Sequence, residues 1–122
     1  MASRAALVVL AALLLAAPVY AVRLPSPAER GAIVAALRKN LAASGVRSVE
    51  RVRVSTVDRR FASAVTYPRD KDGRVLSRDA WLLWHGVHSW HVVFVGSDMP
   101  PCSVASAPVR RDLLGSAACF TR

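Results

Sequence analysis

The sequence predicts an α+β fold: one N-terminal amphipathic helix packed on a four-stranded antiparallel meander, with a disulfide-closed C-terminal loop and a short helix. Three observations predict it. A capped segment of helical periodicity comes first, runs of period-two alternation separated by turn residues come next, and the only two cysteines, Cys102 and Cys119, follow the last run. A helix that can bury one stripe needs a sheet to lie on, and short connections between strands favour antiparallel neighbours.

The helix starts at Ser26-Pro27-Ala28-Glu29, with serine at the N-cap, proline at the first helical position and glutamate placed to close a capping box. Ile33, Leu37 and Leu41, with Val34 beside them, recur at helical spacing, while Arg30, Arg38 and Lys39 fall on other faces. The spacing predicts a helix over residues 27–44, ended by Gly45.

The first strand is read over residues 49–57 (VERVRVSTV), with Val52 and Val54 on one face and Arg51 and Arg53 on the other. Asp58-Arg59-Arg60 makes a turn, residues 61–67 (FASAVTY) a second strand, and PRDKDG over residues 68–73 the next turn. The third and fourth strands are read over residues 78–85 and 90–96. Beyond Gly96 the chain becomes an irregular loop through Pro100-Pro101-Cys102, and PVRRDLL over residues 108–114 reads as a short helix stopped by Gly115.

The first residues read as a signal peptide, residues 1–21. Arg4 supplies the positive region, residues 6–17 the apolar region, and Val19-Tyr20-Ala21 a small-x-small cleavage site after Pro18. Residues 22–122 then form a single small α+β domain that is secreted or otherwise extracytoplasmic, with no stable membrane span after cleavage. A retained leader acting as an anchor is the alternative. In an oxidising compartment an even cysteine count points to a Cys102–Cys119 disulfide.

The whole chain carries 17 basic against 8 acidic residues, a net charge of +9, and 15 of the 17 are arginine. Such a balance suits either a solvated surface or attraction to anionic envelope polymers, for which Arg51, Arg53, Arg59 and Arg60 near one sheet end form the candidate basic surface.

All 3 tryptophans and all 3 histidines lie in WLLWHGVHSWHVVF, residues 81–94. A hairpin register whose pairs sum to an even number brings His85 and His91 to one face with His88 at the loop tip, the only arrangement in which they could share a metal. Turn chemistry favours an odd sum, through either a two-residue or a four-residue loop. That register sends His85 and His91 to opposite faces and gathers Trp81, Leu83, Trp90, Val92 and Phe94 on one face. Ala80, Leu82, Trp84, Val93 and Val95 then share the other. Both faces are apolar, so something must cover the second: either the segment between the cysteines, through Val104, Val109, Leu113 and Leu114, or a partner protein docking with Trp84 as anchor. Trp81, Trp84, Trp90 and His91 are the candidate binding residues.

Other chemistry finds little footing. Asp70, Asp72, Gly73 and Asp79 resemble part of a calcium loop, but the first-ligand position is Pro68, and the segment reads as a hairpin turn. No nucleophile elbow, zinc-protease pair or phosphate-binding glycine loop is present. A triad of Ser55, Asp58 and one histidine would need geometry that sequence does not supply. The reading is therefore non-enzymatic and without a cofactor.

The leader, the capped helix, Val-Ser-x-x-Asp (Val54 to Asp58), Phe61-Ala62, Trp-x-Val-Val (Trp90 to Val93) and cysteines flanking Pro-Val-Arg-x-Asp-Leu (Pro108 to Leu113) together resemble small secreted bacterial proteins of uncharacterised function. That resemblance implies no chemistry. The layout is also similar to that of cystatins, but without their Gln-x-Val-x-Gly hairpin, so it implies fold alone. The expected function is binding by a monomeric chain, through the tryptophan hairpin to an unknown protein partner or through the arginines to an anionic envelope polymer.

Overall fold

The structure, a computed structural model, describes residues 23–121. The expected leader, residues 1–21, lies outside the described residues, as does the side chain of Leu41. Helix α1 spans Pro27–Arg38 and opens with the expected capping box: Ser26 Oγ accepts from Glu29 N at 3.1 Å, and Glu29 Oε1 accepts from Ser26 N at 3.2 Å. The pair satisfies two amides that the first turn leaves unpartnered.

The helix is shorter than its periodicity predicts. It ends at Arg38, and a 3-10 turn over Leu41–Ala43 replaces the last expected turn. Asn40 is the physical reason, because its side-chain oxygen accepts from Ala42 N at 2.9 Å and offers the backbone an alternative to continued helix. Gly45, with φ 81°, then reverses the chain.

Four strands follow: β1 (Val49–Val54), β2 (Phe61–Thr66), β3 (Asp79–His85) and β4 (Trp90–Gly96), in sheet order β1-β2-β3-β4 with every pair antiparallel. The β2–β3 link is longer than a simple turn. Residues 67–78 carry a small ladder of their own, with Arg69 bridged to Val75 and Asp70 Oδ1 accepting from Asp72 N and Arg74 N at 2.9 Å each. The segment with a partial calcium-loop pattern is thus a hairpin turn whose first carboxylate is occupied by backbone amides.

Two bulges set which side chains meet the core. In β1 the register shifts between Glu50 and Arg53, and Arg51 sits at φ 49°. This extra residue brings Val49 to the same side as Val52 and Val54, which strict alternation would forbid. In β4 the shift falls beside Leu83: His85 pairs with Trp90 and Leu83 with Val92, but Leu82 pairs with Phe94 and Trp81 with Val95.

The sheet is covered on both faces. Ile33 and Leu37 of α1 pack with Val52, Val54, Trp81, Leu83 and Trp90 on the first, where Trp81 is fully buried and donates its Nε1 proton to Thr66 Oγ1 at 2.8 Å. Burial of each of these large side chains is worth about 1.5–3 kcal/mol. On the second face helix α2 (Ala107–Leu114) lies over Leu82, bringing Val109 and Leu113, with Val104, Leu114, Phe61, Val93 and Phe94 beside them. Pro108 sits in the first turn of α2, and Gly115 at φ 76° ends it. The Cys102–Cys119 disulfide forms, with Cα atoms 4.9 Å apart. A parallel bridge between Pro101 and Phe120 lies beside it. Among the described residues no helix is long and apolar enough to cross a membrane.

Candidate functional site

The β3–β4 hairpin closes through Gly86, Val87, His88 and Ser89, with Gly86 N donating to Ser89 O at 2.9 Å. The pairs next to this loop have the odd sum that its turn chemistry favours, so His85 and His91 leave opposite faces of the sheet. The ring of His85 meets Trp90 edge-on at 5.0 Å, while His91 lies beside Trp84 at 6.4 Å. His91 Nε2 also stands 3.3 Å from Ser89 Oγ. Among the described residues no group of three or more His, Cys, Asp or Glu side chains is placed to hold a metal ion.

The bulge beyond this point alters the expected facial sets. Phe94 belongs to the second face, under α2, and Val95 to the first, under α1; the odd register alone predicts the reverse. Val93, the extra residue, still packs with the second cluster.

The candidate binding residues separate accordingly. Trp81 and Trp90 are core side chains, 0% and 9% exposed, and a surface contact can use neither. Trp84, at 37%, and His91 remain at the surface, in a cross-strand row with Phe61, because Phe61 pairs with Trp84 and Trp84 with His91. The segment between the cysteines covers the middle of this face and leaves that row at the hairpin end partly open. Val87, which periodicity does not single out, is 89% exposed in the loop. A groove of about 700 Å³ runs along the other side of the hairpin end, where Ala32 and Ala36 of α1 face His85 and His88.

The candidate arginines do not act as one patch. Arg53 donates from Nη2 to Leu113 O at 2.7 Å, tying β1 to the last turn of α2. Arg60 pairs with Asp58 at 2.8 Å, and this hydrogen-bonded guanidinium holds the Asp58 carboxyl below its ordinary value. Arg51 and Arg59 are exposed.

Ser55 is fully buried and serves structure. Its hydroxyl donates to Asp112 Oδ2 at 2.8 Å and accepts from the amides of Val57 and Asp58 at 3.1 Å each. Burial alone would raise the Asp112 carboxyl, but hydrogen bonds from Ser55, Thr56 and the Val57 amide together hold it below its ordinary value. Two residues before it, buried Arg110 donates to Ala117 O at 3.0 Å, Cys102 O at 3.2 Å and Ala105 O, closing the disulfide loop around one guanidinium. The Val-Ser-x-x-Asp and Pro-Val-Arg-x-Asp-Leu stretches are therefore two halves of one contact, and both are structural.

Comparison with protein-family models, with curated proteins and with solved structures finds no match, so no family assignment and no cystatin relationship follows.

Proposed function

We propose that this chain is an exported binding domain and that the end of its β3–β4 hairpin is the docking surface for a partner protein with an apolar cleft. The observation that supports the reading is the pairing of Trp84, 37% exposed, with Val87, 89% exposed, at one end of a sheet whose remaining apolar surface is covered by the chain itself. Tryptophan combines a large apolar area with few rotatable bonds, which makes it effective as an interface anchor. His91 and Phe61 flank it and would form the rim. The export signal read at residues 1–21 and the disulfide, which is at home in an oxidising compartment, support a place outside the cytoplasm.

A photo-crosslinking residue placed at Val87, compared with one at Lys71 on the distant β2–β3 link, tests the reading in the native host. The expected result is a discrete crosslinked protein from position 87 alone, lost on Trp84→Ala and retained in about 0.5 M salt, where surface electrostatics are screened within a few ångströms. Crosslinks that persist in Trp84→Ala, or equal labelling from both positions, overturn it.

A further inference from the structure

On the second face of the sheet, at the end away from the docking hairpin, a cleft of about 230 Å³ lies between the strands and the last turn of α2. Its floor is Ser63, Val65 and Ala80, which the register sets side by side on β2 and β3 or one pair apart. Arg51, Arg53 and Arg78 line it, and no carboxylate does. Among the described residues none of these arginines forms an ion pair; the two ion pairs are Arg23–Glu29 and Arg60–Asp58. Ser63 is 4% exposed, so the floor of the cleft is closed.

Three arginines line one small concavity, and like charges gathered there are best compensated by an anion between them. The carbonyl end of α2 would oppose an anion, but Leu113 O already accepts from Arg53. Glu50 pairs with Val65 at the outer edge without lining the cleft, and Asp98 lies in an adjoining cavity of about 150 Å³ that shares Arg78. A monoanionic carboxylate would neutralise one of the three cations. A tetrahedral, multiply charged oxyanion offers acceptors in several directions and suits guanidinium forks carried by β1 and by the residue that precedes β3.

We propose that the cleft over Ser63 and Ala80, ringed by Arg51, Arg53 and Arg78, binds a multiply charged phosphate group. The site is separate from the hairpin surface and stands or falls without it. It also differs from a general basic face, since Arg59 and Arg60 lie outside it.

Calorimetric titration of the wild-type chain with inorganic pyrophosphate provides the test. Saturable one-to-one binding is expected, with Arg78→Ala and Arg51→Asn each weakening it about tenfold, as loss of a charge-assisted contact requires. Asparagine tolerates the left-handed backbone at position 51, and Arg53 is left intact because it holds α2, so both variants should keep the wild-type melting temperature. Arg59→Ala and Arg111→Ala remove the same charge elsewhere and should change affinity less than about twofold. No binding by the wild-type chain, or equal weakening by these controls, overturns the proposal. Vesicles of phosphatidic acid, whose phosphomonoester can carry a second charge, in phosphatidylcholine distinguish the source. Retention competed by pyrophosphate assigns the site to a lipid headgroup, and pyrophosphate binding without retention assigns it to a free or polymeric phosphate.

Discussion

The hydroxyl of Ser55, at the end of β1, donates to the carboxylate of Asp112, in α2, across 57 residues of sequence and 2.8 Å of space. Thr56 adds its amide at 2.8 Å and its hydroxyl at 3.3 Å. One carboxylate thereby fixes both the chain reversal after β1 and the seating of the helix that covers the second face. Asp112→Ala should lower stability by about 2 kcal/mol, since it leaves the buried Ser55 hydroxyl without an acceptor. Ser55→Ala should cost a similar amount, and a double-mutant cycle in urea should show the two losses to be less than additive. Additive losses would mean that the residues act independently.

The same carboxylate makes stability depend on pH. Its folded-state value is held below the ordinary one, so the contribution is fully present above about pH 4, the usual range of an unfolded aspartate, and is lost as pH falls through the folded value. The wild-type chain should therefore lose stability on acidification more steeply than Asp112→Asn, whose curve lacks that proton. Parallel curves from pH 6 downward would contradict this.

Reduction of Cys102–Cys119 should loosen the second face before the first. The bond has a sequence separation of 17, and closing a loop of that size stabilises by about 3 kcal/mol in the chain-entropy account. The loop is also held by Arg110, so α2 should stay helical while its cover over Leu82 and Phe94 weakens. Thermal melts with and without reductant, followed by binding of a hydrophobic dye, check this. A reduced form with unchanged midpoint would show that Arg110 alone suffices.

Tryptophan emission separates the three indoles. Trp81 and Trp90 are enclosed and Trp84 is open, so acrylamide should quench one fraction, which Trp84→Phe removes with a stability change within about 0.5 kcal/mol. Thr66→Val, by contrast, keeps the shape but strands the Trp81 indole proton in the core, at a cost of about 1–3 kcal/mol. A larger loss from Trp84→Phe than from Thr66→Val would invert the assignment.

Much of this fold is legible because it depends on local rules. The capping box at Ser26 and Glu29 fixes where α1 begins, and the loop residues at Gly86 and Ser89 fix the pairing of His85 with Trp90. What is not legible depends on partners remote in sequence or on irregularity. Asp112 reads as an ordinary helix surface residue until Ser55 is placed against it. Arg78 gains meaning only when the register sets it near Arg51 and Arg53. The β4 bulge leaves no trace in an unbroken apolar run, so Phe94 and Val95 exchange faces unannounced.

The β1 bulge shows where a propensity rule reverses. Arg51 lies within a strand, where valine ordinarily stabilises, but its φ of 49° is a left-handed conformation that a β-branched side chain resists. Arg51→Val should therefore destabilise by about 1–2 kcal/mol, while Arg51→Gly should be neutral or slightly stabilising, because glycine adopts positive φ without a steric cost. The order of the two variants in a urea melt is the decisive reading. If valine proved the more stable, the backbone at position 51 would have to be extended, and Val49 would lose its place beside Val52 in the core.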